Sequence, residues 1–522
     1  MISLLTVSLV LCSFILILYI LGLNMCISFN FLSFGGFNWL LNFDFDNVTF
    51  VILLMLSICF FYVLNYTNHY FTGDYLGYEL NKIIILFVSV MGILVSTGDF
   101  ISTLIFWEYL GVVSFFLILF YSNYLSVRSS IITLVSSRFG DVCLFLLIGL
   151  NCFVYNNLLP CMLYFFFLIF TKSASFPFIS WLLEAMRAPT PVSSLVHSST
   201  LVAAGVWFAM RYDYFIYFSD VKSFILLLII TILITGMCNL FFLDLKKIIA
   251  LSTCNNISWC VLYLIYGDLL ISLFQLLSHG VSKCMLFMLV GDIMNGSSGS
   301  QSCNCVYSTS LYGNWNLFSS IWIVLGLSGV PFIGIFFTKH FFLSNLCNVN
   351  NLVICFSIFL CMFLSYLYSF RLSYIIYNVK SSLVSGVIFF FNSGLMVFLW
   401  LFINFFIFWL LDENVYVNVS YSLNLILFQI VSCLIVVNIY DSTAISNWSS
   451  SLFGCDNLVK LFYGNFLHIL HNINIFILRW DNIIINLFNN IGFINSNSLY
   501  NNLILNILML SSFGFLFYLI FL

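Results

Sequence analysis

Charge and proline are what this sequence most lacks. Only 6% of its 522 residues are charged, against about 25% in an ordinary soluble domain. That shortage excludes a water-soluble globular chain, and a mean hydropathy of +1.14 agrees. A net charge of −3 gives no basic surface for nucleic acid. The 17 cysteines contain no C-x-x-C pair, Cys303 and Cys305 being the closest two. The ligand spacings of zinc and iron–sulfur sites are therefore missing, and the cysteines read as small apolar fillers. No glycine loop of the P-loop or dinucleotide type occurs. No metal, cofactor or nucleotide chemistry is expected on this chain.

What is there is apolar: 63% of residues are hydrophobic, with 63 phenylalanines. A thymine-rich organellar genome, in which TTT codons accumulate, is one plain source of so much phenylalanine, and hints at location only. Runs near the ~20 residues that span a bilayer recur from end to end. Their centres fall near residues 13, 57, 90, 111, 143, 168, 200, 232, 256, 280, 327, 362, 398, 431 and 512, about fifteen spans. Lipid offers no partner to free backbone groups, which leaves helices or a closed barrel. Continuous apolar runs without period-2 alternation favour helices. The expected fold is an all-α polytopic membrane protein. The first run, about 3–23, lacks a basic leader and a cleavage site, and reads as a retained helix.

Three prolines of five (Pro177, Pro189, Pro191) crowd into LIFTKSASFPFISWLLEAMRAPTP, residues 168–191, just after Lys172. Pro177 removes an amide donor, so carbonyls near residue 173 lose their partners. With Ser173 and Ser175 they can hold waters beside Lys172. IFTKS around Lys172 is echoed by FFTKH around Lys339, with Pro331 upstream. Repeated units with interrupted helices are a common transporter design. Near the C-terminus, residues 456–491 carry polar positions (Asn457, Lys460, Asn465, His468, Asn472, Arg479) mostly three or four apart. Such a stripe predicts a helix lying along a surface, with Leu458, Phe462, Phe466 and Ile469 buried and Asn457, Asn465 and Asn472 outward. A last apolar run, about 502–522, re-enters the membrane.

An ionisable group inside a span is a functional-site hypothesis by default. The candidates are Glu108 (FWEYLGVVSFF), Lys172, His197 (PVSSLVHSST), His279 and Lys283 (LLSHGVSKCML), Lys339 and its neighbour His340. Gln275, His279 and Lys283 stand at i, i+4 and i+8 on one helix face, a path of roughly 12 Å. Burial disfavours a charged lysine and a nearby carboxylate favours it. A membrane lysine can thus exchange a proton when its acid moves, and Glu108 is the expected partner of Lys172. The spacing also predicts one polar axis joining Lys172, Lys283, His279, Gln275 and Lys339.

Blander readings apply elsewhere. His197 reads equally well as a packing residue. Arg211, Lys222, Lys380 and Lys460 are expected to snorkel to an interface. Asp244, Lys246 and Lys247 are expected in a short loop, as ion pairs or topology signals. For Lys172, Lys283 and Lys339 the alternative is an inert ion pair, and three such lysines on separate spans weigh against it.

These residues also carry a family resemblance. FWEYLGVVSFFLILFYS, SSRFGDVCLF, TKSASFPFISWLLEAMRAPTPVSSLVHSSTLVAAGVW, DLKKIIALSTCNNISW, SHGVSKCMLFMLVGDIM and GVPFIGIFFTKHFF resemble, in order and spacing, the antiporter-like subunits of respiratory complex I. That family is related to multisubunit cation/proton antiporters, and the match covers roughly residues 45–375. The striped helix and terminal span resemble the lateral helix and anchor of its chain 5 branch.

The resemblance implies a proton-translocating subunit of the mitochondrial inner membrane, without its own redox centre. It implies two inverted five-helix repeats with broken helices at Lys172 and Lys339. The family's Glu–Lys pair maps onto Glu108 and Lys172, its central lysine onto Lys283 and its terminal lysine onto Lys339. Implied partners are the other membrane-arm subunits, chiefly the chain 4 and chain 2 antiporter-like subunits along the lateral helix, and lipid.

The implied organisation is N-terminal helices at 1–75, a first repeat at 76–212 and a second at 213–380. Further spans follow at 381–445, then the lateral helix at 446–497 and an anchor at 498–522. Four departures stand out. Tyr109 replaces a glycine and is expected to narrow helix approach. Gln275 replaces a histidine, and His340 an aspartate. One span, in place of two, precedes residue 45. A cation/proton antiporter subunit and a structural subunit that has lost pumping are the competing readings.

Overall fold

The computed structural model describes residues 2–22, 24–34, 37–153, 158–213, 216, 221–297, 299–309, 314–329, 334–346, 352–382, 393–411, 419–438, 447, 450–489, 506–507 and 510–511. Pro331 and nearly all of the expected anchor at 498–522 lie outside them.

The described chain is mainly helical. Helices α1 (Ile2–Ile20), α2 (Asn47–Tyr70), α3 (Leu76–Ser96), α4 (Phe100–Leu119), α5 (Tyr124–Phe153) and α6 (Leu158–Lys172) come first. A broken stretch follows: α7 (Ser180–Ala185), α8 (Thr190–Leu195), a π-turn at Val196–Thr200 and α9 (Leu201–Arg211). Then come α10 (Lys222–Asn239), α11 (Leu245–Ile265), α12 (Leu269–Gly296), α13 (Asn314–Ser328), α14 (Phe336–Leu346), α15 (Leu352–Tyr377), α16 (Gly394–Leu411) and α17 (Val419–Asn438).

Every sequence-read centre from 13 to 431 falls inside this helical series. Among the described residues, eight helices are long and apolar enough to cross a membrane, and six further apolar helices are shorter. The layering is that of a lipid-facing bundle: Phe116, Phe145 and Phe398 point outward while Lys172, Gln275, His279 and Lys283 lie inside. Helices α11 and α12 and the α8–α9 stretch form the buried centre.

The all-α expectation needs two corrections, the smaller being a short parallel pairing of Tyr307–Thr309 with Lys380–Ser382. Residues Met25–Phe34 and Phe37–Phe45 form an antiparallel hairpin, β1 and β2, with an irregularity at Asn30/Leu32. Ile27, Phe29 and Phe31 alternate with Ser28 and Asn30 ahead of Gly35–Gly36. That is a period-2 pattern leading into a turn signal, too short to stand out between two long apolar runs.

Residues 1–456 form one compact unit and 457–522 a second. The second is dominated by α18, which runs Cys455–Asn489, close to the predicted 456–491. Leu458 is half-buried, whereas Phe462, Phe466 and Ile469 lie open in the single chain, as do Asn457, Asn465 and Asn472.

Candidate functional site: buried lysines at broken helices

Helix α6 ends on Lys172, and Ala174 follows in the left-handed conformation with φ 55°. The Ser175 amide reaches back to the Phe170 carbonyl at 3.1 Å, while Pro177 has no amide to offer. Two carbonyls of the break are taken by side chains. Trp181 Nε1 donates to Thr171 O at 3.0 Å, and Cys254 Sγ lies 3.0 Å from Ala174 O. The Ser173 and Ser175 hydroxyls bond each other at 2.8 Å. The expected break is present, stitched by an indole, a thiol and a serine pair. Gly205 of α9 allows the close approach: a Cβ there would press on Ser173 N, Ile169 O and Lys172 Cβ.

Lys172 is fully buried, its Nζ 4.9 Å from the Trp107 ring centroid. Its nearest acid corrects the expectation. Asp141 Oδ1 of α5 stands 4.0 Å from Lys172 Nζ. Glu108 pairs instead with Arg138 at 3.0 Å, and Arg138 reaches Asp141 at 3.3 Å. The order is Glu108–Arg138–Asp141–Lys172, running from a half-exposed carboxylate to a buried ammonium. Glu108 therefore acts on Lys172 through two intervening groups. Arg138 and Asp141 were within reach of sequence reasoning, since both are charges inside an apolar span. Tyr109 crowds nothing in this row: it is 57% exposed, on the outer face of α4.

On α12, Gln275, His279 and Lys283 are all buried. Lys283 Nζ donates to the Ser252 hydroxyl and, at 3.4 Å, to Ile249 O, both on α11. Gln275 Oε1 accepts from the Thr338 hydroxyl, which joins α12 to α14. Lys339, the next residue, donates to Ser328 O at 2.7 Å and to Ser365 Oγ at 3.0 Å. Ser328 ends α13, and Gly329 (φ 94°) and Gly334 (φ 60°) flank the interruption before α14. The second broken helix is thus present. The two lysines are not equivalent, however: Lys172 precedes its break, whereas Lys339 follows its own. Lys339 and His340 both line a cavity of about 130 Å³ with Tyr366 and Gln429. His340 is stacked on Phe336, with centroids 4.9 Å apart.

Other charges fall differently from the sequence reading. His197 is buried in the π-turn, 6.4 Å from the Trp181 ring. Lys246 belongs to no loop: it lies buried in the first turn of α11, while Lys247 pairs with Asp244 at 3.0 Å on the rim. Arg211 does not snorkel freely, but bonds Asp44 at 3.0 Å and Asp46 at 2.6 Å beside the hairpin. His69 and Asp292, 3.9 Å apart, form a further pair between α2 and α12 that sequence reasoning missed. The side chains of Lys222 and Lys380 lie outside the described residues; Lys460 is exposed on α18.

Likeness to known proteins bears on the family of the chain. The family described as NADH:quinone oxidoreductase/Mrp antiporter, TM, matches residues 97–367. The NADH-ubiquinone oxidoreductase chain 5 of Caenorhabditis elegans is 32% identical over 63% of this chain and 64% of its own length. That of Anopheles gambiae is 34% identical over 67% and 63% respectively. The chain 5 of Anopheles arabiensis is 33% identical over 61% of this chain and 87% of its own. The first two matches thus take in less than two thirds of those relatives.

Two solved structures share the fold alone. One is the Mrp complex of Dietzia sp. DQ12-45-1b, with TM-score 0.72, 18% identity, 98% of this chain and 59% of that one. The other is an archaeal membrane-bound sulfane sulfur reductase, with TM-score 0.63, 15% identity, 86% of this chain and 93% of that one. Buried lysines at two broken helices, a profile match across both and chain 5 relatives at a third identity lead to one assignment. The chain belongs to the NADH:quinone oxidoreductase/Mrp antiporter membrane family, in its chain 5 branch.

Proposed function

We propose that the chain is the chain 5-type membrane-arm subunit of respiratory complex I, and that it moves protons through its buried lysines. The observation that carries this is the chemistry around them. Lys172, Lys283 and Lys339 are buried on separate helices, and the latter two are held by neutral oxygens. Permanent charges in such places cost several kcal/mol; groups that gain and lose a proton do not pay that continuously. NADH oxidation and quinone reduction belong to other subunits, with no cofactor here. The full reading includes about fifteen spans, two inverted repeats, and α18 with its anchor lying along chain 4 and chain 2 subunits in the mitochondrial inner membrane.

Gln275 cannot titrate at ordinary pH, so a proton passes it by water or through its hydrogen bond with Thr338. Release runs through Lys339, with His340 as a titratable neighbour. The test is Lys283→Leu and Lys339→Leu in the whole complex, with pumping measured against NADH oxidation. Both should assemble and lower the protons moved per quinone reduced. Normal stoichiometry in both would make the chain structural. The likeness to the Mrp complex supports a second reading, a cation/proton antiporter subunit; sodium-dependent transport without quinone-linked activity would select it.

A further inference from the structure

Lys246 is buried, and no step above uses it. It is 5% exposed, in the first turn of α11, and its Nζ donates to Ala188 O at 3.1 Å. The acids closest to it in sequence and to Ala188 are engaged elsewhere: Asp244 with Lys247 at 3.0 Å, and Glu184 with Arg187 at 3.2 Å. Both ion pairs are about one third exposed. The Lys246–Ala188 bond therefore lies just inside a polar border.

Further in along α11, Ile249 follows Lys246 at i+3, a neighbour on the helix surface, and Ser252 follows Ile249 at i+3 in turn. Both accept from Lys283 Nζ. Along the helix axis the two residues that hold Lys283 lie about 4.5 Å and about 9 Å beyond Lys246. An ammonium in a first turn also faces the positive end of the helix dipole. That placement suits a proton in transit better than a fixed charge.

We propose that Lys246 loads Lys283 with protons from the border carrying Asp244, Lys247, Glu184 and Arg187. The inference rests on the proton-translocating reading. One proton moves and no electrons: the Lys246 ammonium gives H⁺ to the neutral Lys283 amine, and water at the border reprotonates Lys246. The four-carbon stem supplies the reach. The competing role is a fixed donor that clamps Ala188 onto α11.

Variants of the intact complex separate the two. Lys246→Arg keeps a donor for Ala188 but does not release its proton, and Lys246→Gln keeps a neutral donor. Lys246→His titrates near neutrality. With assembly scored on native gels, the Arg and Gln variants should lower pumped protons per quinone reduced as far as Lys283→Leu does, and the His variant should restore part. Wild-type pumping in either the Arg or the Gln variant makes Lys246 a fixed donor and overturns the inference. Wild-type pumping in Lys283→Leu alone overturns this inference, and wild-type pumping in both Lys283→Leu and Lys339→Leu removes the proton-path reading with it.

Discussion

Asp141 and Glu108 are both carboxylates near Lys172, but they stand at different removes from it. Asp141 is 4.0 Å from the ammonium and buried, whereas Glu108 is half-exposed and reaches it through Arg138. Asp141→Asn should therefore lower the protons pumped per NADH as far as Lys283→Leu does, and Glu108→Gln by clearly less. Measuring pumped protons per NADH in both variants checks the order; equal losses would mean that Glu108 contacts Lys172 in another state. The three lysines were legible because an intramembrane charge needs no tertiary knowledge to stand out. Asp141 carries the same signal, but Arg138 and Asp141 at i, i+3 satisfy each other on paper, and a sequence does not say which helix they face. Lys246 was hidden differently. Three charges in four residues look like a loop, and only helix phase sends Lys246 inward and Lys247 outward.

At the scale of elements, α12 and α14 are coupled by the bond between Thr338 and Gln275. Thr338→Val leaves Gln275 Oε1 without this donor, a cost of about 1–3 kcal/mol. Lower thermal stability of the solubilised complex should report it. The hairpin offers a second check. Arg211 bonds both Asp44 and Asp46, yet these acids are about one third exposed, so Arg211→Ala should cost only about 1 kcal/mol. Faster amide exchange confined to residues 25–45 is the expected signature. Span positions were legible because each apolar run carries its own signal. The hairpin was harder to see because its alternation is brief and its partner strand is equally greasy. The TK echo located both broken helices, but it concealed that the lysines sit on opposite sides of their breaks. That offset is set by backbone geometry around Gly329 and Gly334.

Across the whole molecule, the chain divides into a lysine-bearing core and a C-terminal piece. Helix α18 has 35 residues, about 52 Å of length, and Phe462, Phe466 and Ile469 of its apolar stripe lie open in the single chain. Truncation after Asp456 should leave residues 1–456 folded and inserted but reduce incorporation into the membrane arm. Native gels and protease protection would test both halves of that statement, and normal incorporation would remove the role given to α18. The stripe itself was legible from spacing alone. What covers it was not, since an amphipathic helix specifies a face and leaves the identity of the surface against it open.

The hairpin also bears on how the chain is made. Asn42 N–H is held by Asp99 at 3.0 Å, and Asp46 by Arg211 at 2.6 Å, partners 57 and 165 residues further along the chain. At ~5–20 residues per second of synthesis, Arg211 emerges roughly 8–33 seconds after Asp46. For that interval Asp44 and Asp46 wait with their shared cation, Arg211, still unmade. The hairpin is therefore a latch that closes late, after the helices up to α9 have been inserted. A nascent chain arrested before residue 211 should be cut by protease within 25–45, and one arrested beyond it should resist.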